Sequence, residues 1–511
     1  KGKFDDGWDA YRERVHKRQI EMGIIPPDTK LTDRDETLDS WDSIPEEQHA
    51  FQRRLMELYA GFTEHTDVQV GRLVDGLESR GLKDNTLILY IWGDNGSSSE
   101  GQRGSISELL AQNNIPNTVE QQLAALDRLG GLDALGTPKT DNMYHAGWAW
   151  AGSTPFKGTK LLASYFGGTR NPMVISWPKK IKPSAEVRSQ FHHVIDIAPT
   201  LYEILDITPP TVVNGYEQMP IDGTSFAYTF EDADAPSQRT TQFFDNNGSR
   251  AIYKNGWMAC TFGPFIPWDS PASVPRIKKW DSATDEWELY NLDEDFSQAN
   301  NLAASMPEKL AELKAEFMEI AEANKDFPIG AGNWLRLHPE DRIKTPYTKW
   351  TFTANTRRMP EFTAPGVGRE SNHVTIDLDV PENANGVLYA VGGSSGGVTL
   401  YMEDGKLKYL YNMLIIEQYA ASSTDTIAPG KHKIEVVTDI VGPGKSGTAT
   451  LLVDGQEVGK AELKRTVPAA FTASESFDVG VDLGATVSLD YAEKRPFEFD
   501  GTIRTVKVEM K

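Results

Sequence analysis

Asp94 and Asn95 stand side by side between Gly93 and Gly96, directly after the apolar run Thr86–Trp92. A carboxylate and an amide oxygen at a strand's carboxyl end are hard donors suited to Ca²⁺ or Mg²⁺. In a doubly wound sheet, ligands bind beyond that end of the strands. Asp, Asn and Gly are equally the residues of an ordinary Asx turn. Two side chains also fall short of the roughly 6–8 oxygens around Ca²⁺, so further ligands must come from elsewhere. A second candidate is basic. Lys157, Lys160 and Arg170 lie within Thr154–Pro172, whose glycines let a backbone approach a ligand closely. The three cations could hold an oxyanion, or they could form a solvated basic loop. His145 belongs to Tyr144-His145-Ala146-Gly147-Trp148-Ala149-Trp150, which either lines an aryl pocket through His145 and Trp148 or simply packs. His192 and His193 read as capping or packing residues ahead of a helix. Asn95-Gly96-Ser97 and Asn247-Gly248-Ser249 match the N-glycosylation pattern, the first across the candidate cation pair.

The elements that must carry these residues follow from hydrophobic periodicity. Residues 46–81 predict one long helix, with Phe51, Leu55, Leu58, Tyr59, Phe62, Val70, Leu73, Val74 and Leu77 recurring at three and four. The continuous apolar runs 86–92 and 173–177 predict buried parallel strands. A helix is expected at 195–206. From about 238 the pattern changes to short antiparallel strands at 241–244, 250–253, 257–262 and 286–290. An amphipathic helix at 307–323 follows, built on Leu310, Leu313, Phe317 and Ile320. From about 346 to 511 no helix stands out. Short alternating segments, with hairpin turns at Asp404-Gly405 and Asp454-Gly455, predict a β-sandwich or jelly roll.

A chain of 511 residues is long enough for about two to four domains. Its net charge of −22 argues against nucleic acid and against anionic membrane surfaces as partners. No apolar run approaches the roughly 20 residues of a membrane helix. The single cysteine, Cys260, excludes an intramolecular disulfide and a Cys-based zinc site.

Taken together, residues 1–325 resemble the C-terminal portion of a sulfatase, in the arylsulfatase branch of the alkaline-phosphatase-like superfamily. The resemblance is carried by Gly2-Lys3-Phe4-Asp5-Asp6-Gly7-Trp8-Asp9, by the strand ending in Asp94-Asn95-Gly96, and by Gly147-Trp148-Ala149-Trp150-Ala151. It continues through Thr154–Pro172, His193-Val194-Ile195-Asp196-Ile197-Ala198-Pro199-Thr200, Ile221-Asp222-Gly223-Thr224-Ser225 and Trp287-Glu288-Leu289-Tyr290-Asn291-Leu292. The β-rich tail resembles the lectin-like sandwich of some members of that branch. The fold this implies is α/β, with three parts. Residues 1–237 form the C-terminal part of an alkaline-phosphatase-like doubly wound sheet domain. Residues 238–345 form a small α+β subdomain and linker, and 346–511 an all-β, jelly-roll-like sandwich.

The resemblance also implies roles. Asp94 and Asn95 become metal ligands, for Ca²⁺ first and Mg²⁺ second. Lys160 binds the sulfate and stabilises charge on the ester oxygen, with His145, Trp148 and Arg170 as weaker substrate contacts. The family's nucleophile is a formylglycine made from Cys or Ser in Cys/Ser-x-Pro/Ala-x-Arg. Met258-Ala259-Cys260-Thr261-Phe262-Gly263 does not match that motif, and neither does Ser305-Met306-Pro307. Tyr165 and Gly158 stand where relatives often have His and Trp. The nucleophile and the paired Asp ligands are therefore expected before Lys1, in a missing N-terminal half of the domain, and the chain alone is expected to be inactive. Half a domain is also expected to expose sheet surface and to be poorly soluble. A sulfate-ester small molecule or sulfated glycan is the expected substrate, and the periplasm or the cell exterior the expected location. Two alternatives stay open. One is a non-catalytic carbohydrate-binding adaptor, in which Tyr401, Tyr409, Tyr411 and Tyr419 stack on sugars. The other is a phosphate or phosphonate ester hydrolase of the same superfamily.

Overall fold

The computed structural model describes residues 1–182, 187–338, 341 and 345–511. It falls into two compact units that interleave along the chain. The first comprises Lys1–Ile44, Tyr59–Ser99 and Ala146–Asp341, and the second Pro45–Leu58, Glu100–His145 and Arg342–Lys511. The second unit thus takes in two stretches that the division at 345/346 had assigned to the first.

In the first unit, helix Gly7–Glu21 leads into a knot of rings. Trp8 stacks edge-on with Trp41 at 4.9 Å and with Trp148 at 5.6 Å, and Phe4 meets Trp148 at 5.4 Å. Such T-shaped pairs add to the burial of large apolar area. Strands Ile88–Ile91 and Met173–Ser176 form where the apolar runs predict them, but they pair antiparallel with each other, Ile88 opposite Ser176 and Ile91 opposite Met173. The parallel expectation is corrected here. A continuous apolar run reports that both faces want cover, not the direction of the neighbour. The cover is itself partial: Val174 is 61% exposed. The long helix spans Glu46–Ser79, and its apolar stripe outruns its cover. Phe51 and Leu55 are buried, whereas Phe62 and Leu73 are each 68% exposed. The helix expected at 195–206 spans Ile197–Ile204 after a 3-10 turn at Val194–Asp196.

The small antiparallel sheet also forms as predicted, from Thr241–Asn246, Ser249–Lys254, Trp257–Thr261 and Glu288–Asn291 in sequential order. Helix Pro307–Ala323 covers it, packing Leu313, Phe317 and Ala321 with Ile252, Ala259 and Leu289. Its first hairpin turns on Asn247-Gly248, both at positive φ, which suits a type I′ turn and explains the Asn-Gly pair without glycosylation.

In the second unit two six-stranded antiparallel sheets are present among the described residues. One runs in the order Met359–Pro360, Ser476–Val479, Gly386–Gly393, Gly396–Glu403, Lys406–Met413, Glu417–Ser422. The other runs Gln456–Leu463, Gly447–Val453, Gly430–Ile440, Asn372–Val380, Thr502–Met510, Lys349–Phe352. Asn372–Val380 alternates strictly between buried and half-buried residues, as one face on a core requires. Asp404-Gly405 and Asp454-Gly455 both lie at positive φ and close the expected hairpins. The strand Gly386–Gly393, by contrast, is buried throughout. Part of its cover comes from far upstream. Phe51, Leu55, Ile106, Leu110 and Leu126 share one apolar core with Leu400, Tyr409 and Val436. Ser107 Oγ donates to Ser395 O at 2.8 Å, and Asn113 Nδ2 to Ala470 O at 2.8 Å. Helices Glu108–Gln112 and Val119–Leu129 carry these contacts, the latter opened by a Thr118–Gln121 capping box.

Candidate active site

Asp94 and Asn95 sit in an exposed turn just past Ile91, the last residue of its strand, as the sequence places them. Glycine is required beside them. Gly96 has φ +81°, and a Cβ there would lie 2.1 Å from Gly167 O. Its N–H donates to Asn171 Oδ1 at 3.2 Å. The turn therefore lies directly against Gly167-Gly168, in the same loop that carries Lys160.

That loop is tied to the turn by its backbone. Lys160 N–H donates to Ser97 O at 3.0 Å, and the Thr159 and Ser99 hydroxyls pair at 3.0 Å. From the other side the loop rests on the small sheet. Asn246 Nδ2 donates to Leu161 O (3.1 Å), Phe166 N–H to Gln298 Oε1 (2.8 Å), and Ser164 N–H to Ser249 Oγ (3.2 Å). Leu161, next to Lys160, is held at φ +82°, a region costly for a residue with a Cβ and one that clusters at functional sites. Lys157 does not join the candidate oxyanion cluster as a solvated cation. Its ammonium is 3.1 Å from Glu288 Oε2, and it donates to Tyr290 Oη at 2.6 Å.

A buried arginine that the sequence reading did not single out holds the segment ahead of the loop. The Arg12 guanidinium donates to the carbonyls of Trp150 (2.8 Å), Pro155 (3.0 Å) and Phe156 (2.9 Å), and to Thr32 Oγ1 (2.8 Å). Burial lowers its pKa to about 9, still above neutral, so it stays charged. The sequence signal for it was weak, a single basic residue four positions after Trp8 on a helix whose other cations face water.

The remaining predicted residues are placed as follows. Trp148 is buried in the aromatic knot beside Phe4, Trp8 and Trp41 and packs there. His145 is fully buried in the second unit, where burial and the nearby Arg103 depress its pKa to about 3, so it is neutral. The Arg170 guanidinium lies 4.0 Å from the Phe296 ring centre and 5.3 Å from that of Phe166. His193 caps its turn, its Nδ1 accepting from Ile195 N–H at 3.4 Å. Cys260 is buried, which pushes its thiol pKa well up and leaves it inert. Tyr401, Tyr409, Tyr411 and Tyr419 are buried in the sandwich, so the sugar-stacking role is corrected. Tyr411, for example, donates to Gly368 O at 2.7 Å.

A cation at the Asp94–Asn95 turn fits the donors present. Both are oxygens, and both side chains are exposed at the strand end. They supply part of a shell only. Among the described residues no group of three or more His, Cys, Asp or Glu is arranged to hold a metal ion.

An acidic and amide oxygen pair just past a strand end is thus tied to a lysine-bearing glycine loop in an α/β unit. Residues 4–207 match the sulfatase family model. It is similar to an uncharacterized sulfatase of Schizosaccharomyces pombe, at 28% identity over 327 residues, 63% of this chain and 53% of that protein. It is also similar to an arylsulfatase of Klebsiella aerogenes, at 25% over 229 residues, 44% of this chain and 46% of that one. A third relative is an N-acetylgalactosamine-6-O-sulfatase of Bacteroides thetaiotaomicron, at 26% over 257 residues, 50% of this chain and 39% of that one. The chain spans about half the length of the curated relatives it matches.

Proposed function

We propose that this chain is the C-terminal portion of a sulfuric ester hydrolase of the arylsulfatase type, acting with Ca²⁺ on sulfate monoesters of a small molecule or a sulfated glycan. The observation that carries this reading is the 3.0 Å bond from Lys160 N–H to Ser97 O, which fixes the lysine loop on the Asp94–Asn95 turn. This supports the reading, because the backbones of the two segments share one local frame.

In hydrolysis the S–O(ester) bond breaks, water supplies the new S–O bond, and the alcohol leaves with a proton. Asp94 and Asn95 would hold the metal, which when bound polarises the sulfate oxygens. Lys160 binds a non-bridging oxygen and offsets charge growing on the leaving oxygen, with no reorganisation because its loop is already fixed. The formylglycine nucleophile belongs to the rest of the domain, and a periplasmic or extracellular location goes with the same reading. Burial of the four tyrosines takes away the motive for the sugar-adaptor alternative.

The test uses the full-length protein. Lys160→Ala and Asp94→Ala are each expected to lower turnover of an aryl sulfate by about 10²-fold or more, the scale for loss of one electrostatic stabiliser. Near-wild-type rates in both variants sink the site. A kcat/KM higher for the matched phosphate monoester turns the reading to phosphoryl chemistry.

A further inference from the structure

The chemistry around Glu288 belongs to none of the roles above. It lies on strand Glu288–Asn291, at the edge of the small sheet, and its carboxylate gathers three donors. Tyr165 Oη donates to Oε1 at 3.0 Å, Tyr290 Oη to Oε2 at 2.5 Å, and the Lys157 ammonium lies 3.1 Å from Oε2. The same ammonium sits 4.3 Å from the Tyr165 ring centre and 4.9 Å from that of Tyr290, so cation–π attraction adds to the charge pairing. Cys260, opposite Glu288 on the neighbouring strand, is fully buried. Two of the three donors, Lys157 and Tyr165, flank Lys160 within one loop. That loop is closed on itself by Gly167 N–H to Lys157 O at 3.0 Å. A Cβ on Gly167 would meet Gly158 O at 2.2 Å and Lys157 O at 2.4 Å, so the loop has no slack there.

The geometry points to Glu288 as a positioning residue for Lys160: its carboxylate clamps both ends of the loop, through Lys157 and Tyr165, and so sets where the Lys160 ammonium stands. This inference rests on the sulfatase reading for what Lys160 does, but not for how Lys160 is held. Glu288 acts only through the loop and touches no substrate. A network in which one carboxylate accepts from two phenols and an ammonium is stiff, because each donor is immobilised by the next. The Tyr165 side chain occupies the place where the resemblance puts a histidine. Its hydroxyl is engaged with Glu288, so at this position the chain has a fixed strut.

The experiment has two arms, both on the full-length protein with Glu288→Gln and Glu288→Ala. Hydrogen exchange is read on the amides of residues 157–168. Glu288→Ala is expected to speed exchange there at least tenfold while the sandwich amides keep their rates. Glu288→Gln, which retains one acceptor and the volume, is expected to lie between. Unchanged exchange in both variants overturns the clamp, whether or not the protein is a sulfatase. The second arm is a double-mutant cycle on aryl sulfate turnover. Glu288→Ala is expected to lower kcat/KM ten- to hundredfold in the wild-type background and less than threefold in a Lys160→Ala background. Equal losses in both backgrounds overturn the claim that Glu288 acts through Lys160. Absence of any aryl sulfate turnover by the wild type counts against the sulfatase reading alone and leaves the first arm to decide the clamp.

Discussion

Replacing Arg12 with methionine keeps the apolar stem and deletes the guanidinium, and the cost can be worked bond by bond. Six hydrogen bonds disappear, to Trp150 O, Thr154 Oγ1, Thr32 O, Thr32 Oγ1, Pro155 O and Phe156 O. Not every acceptor is orphaned. Trp150 O keeps Ser153 N–H at 3.1 Å, and Pro155 O keeps the Thr32 hydroxyl at 2.8 Å. The carbonyls of Thr32 and Phe156 are the ones left without a replacement donor. At about 1–3 kcal/mol for each buried unsatisfied group, the loss is about 2–6 kcal/mol. Relief of the desolvated charge offsets part of it, so about 3 kcal/mol is expected. For a unit of this size that is a fall of roughly 6–12 °C in Tm, at about 2–4 °C per kcal/mol. The assay is thermal unfolding followed by near-UV circular dichroism, where the Trp8, Trp41 and Trp148 cluster and Trp150, under the Arg12 guanidinium, give local signals. Arg12→Lys should do little better, because one ammonium cannot reach acceptors spread around a planar fork. A shift below 2 °C in Arg12→Met would refute the view that Arg12 organises the approach to the lysine loop.

Further outcomes are expected elsewhere. Gly96→Ala puts a Cβ 2.1 Å from Gly167 O at a positive φ and should abolish turnover in the full-length protein while the sandwich still unfolds at its usual temperature. Asp482, 1% exposed and pushed up to about 7 by burial and by its neighbours Asp478 and Glu475, makes sandwich stability pH-dependent. Its folded pKa lies above the unfolded value of 3.8, so its stabilisation is complete below that value and is lost as pH rises through about 7. Urea melts should show the sandwich more stable at pH 5 than at pH 8 by up to about 2.6 kcal/mol, since part of the effect is already lost at pH 5, and Asp482→Asn should flatten that difference. Tyr411→Phe removes the bond to Gly368 O and the acceptor of Val467 N–H at 2.8 Å, and should cost about 1–3 kcal/mol with turnover unchanged. In the full-length protein, Ca²⁺ at a hundred times its Kd should add about 2.7 kcal/mol to stability, and Asp94→Ala should abolish the gain.

Much of this architecture was legible in the sequence. Helix 307–323 and the four short strands after residue 238 emerge where periodicity puts them. Local signals suffice there, because each element buries one face against its neighbours in sequence. The Asp94–Asn95 turn and the Lys160 loop were legible as types of residue, since a glycine-flanked acid and amide at a strand end is a local pattern. What holds them was not. Arg12, Asn246, Glu288 and Gln298 act across 85 to 144 positions, and no spacing rule connects them to the loop. Strand direction at 88–91 was also beyond reach, because an apolar run states a need for cover and says nothing of polarity. The Thr118–Gln121 capping box was readable, but a helix of modest length in a polar stretch gives no hint that it will complete a sandwich over 250 residues downstream.

The shared core of the second unit has a consequence for how the chain is made. Asn113 waits for Ala470, 357 residues later. At about 5–20 residues per second the ribosome needs roughly 20–70 s to cover that distance. For much of that interval Phe51, Leu55, Ile106 and Leu110 have been made, while many of the strands that will bury them have yet to be synthesised. The upstream segments are thus a long-lived sticky surface during translation, and a chaperone has something to hold until the final strand, Thr502–Met510, leaves the tunnel. A ribosome that stalls early in the sandwich releases a product in which Phe51, Leu55, Ile106 and Leu110 lack the core they join.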